Sequence, residues 1–306
     1  MENSDRTVAI MVNYNNAEDT QEAVQTLLSH NRSYINKIII VDNNSTDNSV
    51  QILNEAYLNE KKVIILKSAI NKGFAYGNNI GIEYALDNLE FDFFLLINND
   101  TISGPIVNEF CNFYIANKEK RIGILTGKIY YYKEGKSNTI WYAGGYYNKT
   151  RNSGYHIGMD EIDDKIKYNE VKEITFVTGC LMFFSKGIIE KVGYLPDEYF
   201  LYIEDVDYSL KVQEKKYKLI YIPTACIWHK VGATTKRSIH QAYYSNRNRI
   251  ILAKKYLRKF DYFKFLFFLF FTRMIKTIIG LIKMQPKNEF AGCLAGLKFE
   301  CKRNTE

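Results

Sequence analysis

Cysteine pairs are the first thing this sequence lacks. Its five cysteines, Cys111, Cys180, Cys226, Cys293 and Cys301, show neither paired nor CxxC spacing, which argues against a disulfide framework and against a zinc site. A reducing, cytosolic compartment is the expectation. No leader is expected either: MENSDRTVAIMVNYN has no basic segment followed by a long apolar one, so no signal peptide is predicted. A G-x-G-x-x-G fingerprint is absent, and NKGFAYGNN carries glycines only at 73 and 77, which speaks against dinucleotide and P-loop chemistry. The lack of a G-x-S-x-G elbow leaves a serine hydrolase unsupported. Internal repeats and low-complexity tracts are also absent.

What is present describes a globular protein. The 306 residues, 46% hydrophobic and 25% charged, suffice for one large α/β domain or two modest ones with a sizeable core. The net charge of +7 is unevenly placed: residues 247–287 hold eleven Lys/Arg against the single acid Asp261, so the first 246 residues are mildly acidic. Basicity is a property of the C-terminal arm, and it bears on what that arm touches.

Along the chain, TVAIMVN reads as a strand, NYNN as a loop and AEDTQEAVQTLLSH as a helix, because apolar residues pass from a continuous run to helical spacing. KIIIVDNNS repeats the strand, ending on Asp42, and TDNSVQILNEAYLN the helix, with Thr46 or Asp47 placed to cap it. VIILKS, NKGFAYGNNIGIEYALDN and FDFFLLINND continue as strand, Gly-rich turn with helix, and strand. Such alternation predicts an α/β fold, a mostly parallel sheet with helices on both faces. Ligands of these sheets lie beyond the C-terminal ends of the strands, where NYNN, DNNS, NKG and NND all fall.

The last of those clusters ends the apolar strand FLLIN on Asn98, Asn99 and Asp100. A carboxylate there is costly unless something binds it, although a plain turn also uses Asn and Asp. After about residue 105 the alternation weakens. GILTGKIYYY and WYAGGYYNKT are aromatic, and the polar stretch RNSGYHIGMDEIDDKIKYNE is expected to be an exposed, acceptor-side excursion. Regular structure resumes with EITFVTGCLMFFSKGIIEKVG, EYFLYIEDVDYSLKVQEKKY and KLIYIPTACIWH. Asp100 then ends a strand, Glu204 and Asp205 open a helix, and His229 closes a strand. Taken singly, an acid pair at a helix start is ordinary dipole chemistry, and His229 beside Trp228 is an ordinary structural histidine.

In order and context these pieces resemble the family 2 glycosyltransferases, particularly the bacterial rhamnosyltransferase-like branch with a GT-A fold. The resemblance runs from about residue 7 to about residue 255 and rests on VNYN, VDNNSTDNS, NKGFAYGNNIG, LINND, VTGCLMFFSK, VGYLPDEYFLYIEDVDYSLK, IWH and YYSNRNRI. It implies a GT-A domain, expected over residues 1–245 with a nucleotide-sugar half to about 104 and an acceptor half from about 105, while residues 246–306 are expected from their own charge and pattern to be a helical amphipathic arm. It places Asp42 against the nucleotide base and Asn71 and Gly73 in the nucleotide pocket. Val12, Asn13, Tyr14 and Asn15 would line that pocket, with Asn78 and Asn99 as further donor contacts. Asp100 takes the last position of a DXD-type motif that binds a divalent metal, Mg²⁺ or Mn²⁺, and the sugar nucleotide. Asp205, with Glu204 beside it, takes the place of the catalytic base, and His229 that of a further metal or diphosphate contact.

The chemistry asks for such groups. A nucleotide diphosphate leaving group develops charge that a divalent cation neutralises through oxygen ligands, and the acceptor hydroxyl must give up a proton to a carboxylate as it attacks. One base and no enzyme nucleophile imply inversion. The first acid of the DXD is here Asn98, so the motif supplies one carboxylate instead of two, and an amide binds a hard cation less strongly. The resemblance implies transfer of a sugar, from dTDP-rhamnose first and a UDP-hexose second, to a lipid-linked or cell-surface glycan at the cytoplasmic face of the membrane. The alternative from another class is a non-catalytic sugar-nucleotide or polysaccharide-binding protein with a decayed site.

In the arm YLRKFDYFKFLFFLFFTRMIKTIIGLIKM the longest uncharged run, Phe265 to Thr272, is far short of the roughly 20 residues that span a bilayer. As one helix it would gather Arg258, Arg273, Lys276 and Lys283 on one face and phenylalanines over most of the rest. That pattern predicts an interfacial helix on anionic lipid, peripheral to the inner face of the cell membrane, with a C-terminal helix packed on the domain as the alternative. A Phe-rich face is poor for tracking phosphates, so nucleic acid is not an expected partner.

Overall fold

The computed structural model describes residues 6–231, 239–282 and 289–299. Its first half follows the alternation read above: β1 (Thr7–Asn13), α1 (Ala17–Asn31), β2 (Ile35–Asp42), α2 (Ser49–Tyr57), β3 (Val63–Lys67), α3 (Phe74–Asn88) and β4 (Phe93–Ile97). Val8 to Met11 and Ile38 to Val41 are fully buried, because these strands are covered on both faces and so need continuous rather than alternating apolar residues. Helix α1 buries Thr20, Ala23, Val24 and Leu27, the stripe that a 3.6-residue period turns to one side. At α2 the expected cap moves by one or two positions. Asn48 is the N-cap residue and makes no side-chain cap, while Asp47 accepts the Ser49 amide at 2.9 Å.

The second half contains β5 (Thr101–Ser103), α4 (Ile106–Ala116), β6 (Ile122–Tyr132), β7 (Lys136–Tyr142), β8 (Gly145–Asn148), β9 (Ser153–His156), β10 (Lys172–Ile174), β11 (Leu181–Ser185), α5 (Lys186–Val192), α6 (Glu204–Glu214) and β12 (Lys218–His229). The main sheet runs β10-β12-β6-β11-β4-β1-β2-β3, with β5 paired to β12 and β7 to β6. β1 to β4 are mutually parallel, as are β6 and β12, while β11 is antiparallel to both β4 and β6. The aromatic stretch GILTGKIYYY is therefore a central strand, buried from Ile122 through Tyr131. The polar excursion beyond it is mostly exposed, but Asn152, Asp163 and Tyr168 anchor it inward.

Three helices end the described chain: α7 (Ile239–Tyr256), α8 (Lys259–Ile282) and α9 (Glu289–Lys298). Most of the stretch YLRKFDYFKFLFFLFFTRMIKTIIGLIKM, from Lys259 to Ile282, is the one helix α8. α7 stops at Tyr256, which leaves Arg258 in the link rather than on the α8 face, and Lys283 lies outside the described residues. Ile251 and Leu252 of α7 join the main core, whereas Ile250, Ala253, Leu257, Phe265, Leu269 and Cys293 form a second, small one. α9 packs backbone to backbone on α7: a Cβ on Gly292 would stand 2.1 Å from the Tyr243 carbonyl oxygen, so only glycine permits the approach. Position 246 lies inside α7. The outward face of α8 carries Phe260, Phe263, Phe267, Phe271, Met274 and Ile278, all exposed.

Candidate active site

Two antiparallel pairings gather the chemistry at the C-terminal edge of the parallel strands. Because β11 runs against β4, with Leu181 opposite Ile97, the turn Thr178–Cys180 arrives where β4 ends, and the Asn98 amide donates to the Cys180 carbonyl at 3.1 Å. Because β5 runs against β12, with Thr101 opposite His229, the side chains of Asp100 and His229 meet. His229 Nε2 lies 3.0 Å from Asp100 Oδ1. The contact has ion-pair distance without hydrogen-bond alignment, so Asp100 Oδ1 is buried without a hydrogen bond, and the other imidazole nitrogen, His229 Nδ1, is buried without one as well. Burial works against the Asp100 carboxylate, yet the facing charge of His229 outweighs it and holds the carboxyl below its usual range. Burial likewise opposes charge on His229, and the neighbouring Cys180 and Asp100 overcome it, raising the imidazole well above its ordinary value.

Asp205 sits in the first turn of α6 with both oxygens fixed. Its Oδ2 accepts the Gly179 amide at 3.0 Å and its Oδ1 the Val206 amide at 2.8 Å. The turn that meets β4 thus also holds the carboxylate, and Ser209 strengthens the link by accepting the Val177 amide at 3.0 Å. A carboxylate offers about four acceptor sites, which leaves two on Asp205 for a hydroxyl. Burial pushes the Asp205 carboxyl up to about 6 against the pull of those amides. Its neighbour Glu204 is buried with Oε2 unpartnered, and burial together with the Asp205 charge raises it well above its usual value. Both adjacent acids are thereby pushed toward the protonated form.

The entry into α6 is strained. Tyr202 (φ 69°) and Ile203 (φ 77°) are consecutive left-handed residues without being glycine, at a cost of roughly 1–2 kcal/mol each. Just beyond, Asp207 is structural: it is buried and accepts from Tyr199 Oη at 2.7 Å, Lys255 Nζ at 2.6 Å and Tyr256 Oη at 2.6 Å.

At the β1–β2 end, Asp42 is fully buried and accepts from Asn13 Nδ2 at 2.8 Å and from the Ser45 amide and hydroxyl at 2.9 and 2.6 Å. Asn13 Oδ1 in turn accepts from Thr20 Oγ1 at 2.8 Å, which accepts from Asn99 Nδ2 at 2.8 Å. One chain of hydrogen bonds therefore runs from Asp42 to the motif that ends on Asp100. Asn15, in the left-handed region at φ 51°, zips its loop to the next through Thr46, whose amide donates to its Oδ1 at 2.8 Å. Tyr14 is 47% exposed beside it.

Asn71 Oδ1 accepts from Asn43 Nδ2 and the Gly73 amide, both at 3.0 Å. Gly73, at φ 97°, presses on the segment before α6: a Cβ there would stand 1.8 Å from the Phe200 carbonyl oxygen. Val12 and Asn78 belong less directly to this cluster. The Val12 side chain packs on Gly77 of α3, and the buried Asn78 donates to the Phe74 carbonyl of its own helix at 3.0 Å. Residues given no role in the site from sequence are Thr20, Ser45, Gly179 and Thr46, the last expected only as a helix cap. The serine and threonine stand in the quoted loop DNNST, whereas Gly179 acts through its amide and Thr20 is an ordinary helix residue in the sequence.

Among the described residues, no group of three or more His, Cys, Asp or Glu side chains could hold a metal ion by itself. The glycosyl transferase family 2 profile matches residues 8–193. The chain belongs to this family. It is 23% identical over 253 residues to the low-salt glycan biosynthesis hexosyltransferase Agl10 of Haloferax volcanii, covering 82% of this chain and 76% of that protein. It is 28% identical over 132 residues to the glycosyltransferase GlyG of Streptococcus pneumoniae serotype 4, covering 43% and 42% of the two chains.

The fold is also that of solved glycosyltransferases. GalNAc-T7 with UDP, GalNAc and Mn²⁺ superposes with a TM-score of 0.62 at 12% identity over 85% of this chain, which spans about half (49%) of that one. The mannosyltransferase PcManGT of Pyrobaculum calidifontis, in complex with GDP-Man and Mn²⁺, gives 0.56 at 14% identity, covering 81% of this chain and 64% of its own. This family 2 member is thus a glycosyltransferase of GT-A fold.

Proposed function

We propose that this glycosyltransferase moves a hexose from a nucleotide-diphosphate donor to a glycan acceptor with inversion, and that Asp205 is the base. One observation carries the reading: Asp205 is fixed by the Gly179 amide in the same turn whose Cys180 carbonyl accepts the Asn98 amide, so the base and the NND motif are tied together at one edge. Its raised proton affinity, to about 6, suits proton uptake near neutral pH. Asp42, Asn13, Asn15, Asn71 and Gly73, with Val12, Tyr14, Asn78 and Asn99 around them, form the donor side.

Asp100, whose buried Oδ1 has no aligned hydrogen bond, and His229, once deprotonated, would hold a divalent cation. When bound, such a cation neutralises charge on the leaving diphosphate. Asp100 then anchors the donor and His229 orients it, while Asp205 takes the acceptor proton.

The acceptor end of the proposal is a lipid-linked glycan at an anionic membrane surface. Among the described residues no helix is long and apolar enough to cross a membrane, but the exposed α8 face and the basic stretch 247–287 suit a helix lying in the interface. The experiment is a donor screen by nucleotide release, with dTDP-rhamnose and UDP-hexoses first, with and without EDTA. Release from one donor that rises with acceptor supports the function, and no turnover of any donor opposes it in favour of a binding protein with a decayed site.

A further inference from the structure

The left-handed pair Tyr202–Ile203 leads directly into Glu204 and Asp205, so its conformation fixes where the first turn of α6 points. Neither residue favours that conformation, and a β-branched isoleucine resists it most. Something must hold the segment. The holding group comes from a distant element: Asn248 of α7, fully buried, donates from Nδ2 to the carbonyls of Leu201 and Tyr202, both at 2.8 Å. Both amide hydrogens are thus spent on the two carbonyls that precede the Ile203 turn. Asn248 is itself oriented, because Arg247 Nη1 donates to its Oδ1 at 2.7 Å while the same guanidinium reaches the Glu198 carbonyl at 3.3 Å. Beyond the base, Lys255 and Tyr256 of α7 grip Asp207. One helix therefore clamps the chain on both sides of Asp205.

We infer that Asn248 is a positioning residue for catalysis, holding the strained Tyr202–Ile203 turn so that Asp205 faces the acceptor hydroxyl. The inference rests on Asp205 being the base. Asn248 is placed to act on the chemical step and not on donor affinity, since it touches neither the Asp42 cluster nor Asp100. Other residues cannot easily replace it: two adjacent carbonyls need two donors on one short, rigid group, and a buried Asp would present oxygens to both.

The test compares Asn248→Ala and Asn248→Asp with the wild-type full chain. Turnover is read as nucleotide release from whichever of dTDP-rhamnose, UDP-glucose and UDP-N-acetylglucosamine the enzyme uses, and affinity is read with free UDP and dTDP. Misplacement of a reacting group by about 1 Å costs on the order of 100-fold, so kcat should fall about 100-fold while nucleotide Kd changes less than about threefold. Restoring the turn without Asn248 supplies the decisive readout. Tyr202→Gly relieves the left-handed strain, so Asn248→Ala/Tyr202→Gly should recover at least tenfold of the lost kcat.

Wild-type-like kcat in both single variants, or a fall in kcat matched by an equal loss of nucleotide affinity, overturns the inference. Should Asn248→Ala fail to fold, the isosteric Asn248→Asp, alone and with Tyr202→Gly, is judged by the same criteria, and failure of both single variants to fold makes Asn248 structural and also overturns it. Asp205→Asn measured alongside separates the two ideas. An active Asp205→Asn removes the base assignment itself, whereas an inactive one beside an active Asn248→Ala removes only the positioning role.

Discussion

The amide of Gly179 donates to Oδ2 of Asp205 at 3.0 Å, and the adjacent Cys180 carbonyl receives the Asn98 amide. A three-residue turn thus joins the carboxylate that opens α6 to the motif that closes β4. The first consequence concerns pH. Because burial raises Asp205 to about 6, a base that must be ionised should give turnover that declines as pH falls through about 6. The sign for stability is the reverse. A carboxyl raised above its unfolded value of roughly 3.9 binds its proton more tightly when folded, contributes stability that is fully present below that value, and loses it as pH rises through about 6. Asp205→Asn cannot lose that contribution, so its Tm relative to wild type should increase between pH 4 and pH 8. A constant difference would mean that Asp205 is not perturbed.

The second prediction tests the cation. Asp100→Ala should abolish any Mn²⁺ dependence of UDP or dTDP binding, and His229→Ala should weaken it, measured by titration calorimetry with and without Mn²⁺. Full turnover in excess EDTA would remove the cation from the mechanism and leave Asp205 untouched.

Much of this site was legible because local sequence decides it. Strands β1 to β4 have continuous apolar runs, and their polar ends, NYNN, DNNS, NKG and NND, fall at one sheet edge. What stayed hidden depends on long-range pairing or on backbone atoms. VTGC reveals nothing of the Gly179 amide that meets Asp205, and only the antiparallel insertion of β11 brings it there. Thr20 looks like any helix residue until its hydroxyl bridges Asn13 and Asn99. Arg258 falls outside α8 although neither Gly nor Pro marks the break at Leu257–Arg258. Lys128, within an aromatic run, carried no sign that it would be almost fully buried.

That lysine supplies the third prediction. Lys128 Nζ lies 2.9 Å from Asp163 Oδ2, with both side chains essentially inaccessible, Tyr130 and the Lys165 backbone amide also donate to the same carboxylate, and Lys165 Nζ pairs with it at 3.1 Å. Burial disfavours the Asp163 charge, but these donors overcome it and hold the carboxyl well below its usual range. Removing one partner of a buried pair typically costs about 3–5 kcal/mol. Lys128→Met should therefore destabilise by about that amount in urea unfolding, and Lys128→Met/Asp163→Asn by less than the sum of the single changes. Additive losses would show that the pair is not coupled.

The fourth concerns α8. Exposed Phe267 and Phe271 contribute no packing to either core, so Phe267→Glu/Phe271→Glu should leave Tm unchanged but abolish co-sedimentation with phosphatidylglycerol vesicles. Basic residues near an anionic surface add roughly 1 kcal/mol each and are screened by salt, while burial of phenylalanine is not. High salt should therefore weaken wild-type binding only in part. A wild-type chain that stays in the supernatant at low salt rules the membrane face out.

The most direct measurement is turnover by Asp205→Asn under conditions where donor binding is measured in parallel. The amide keeps the size of the carboxylate but cannot take a proton. Loss of a positioned base costs about two to four orders of magnitude, so nucleotide release in the presence of acceptor should fall by that span while UDP or dTDP affinity stays within a few-fold of wild type. Turnover within a few-fold of wild type, with the variant folded and binding nucleotide, would contradict the assignment of Asp205 as the base.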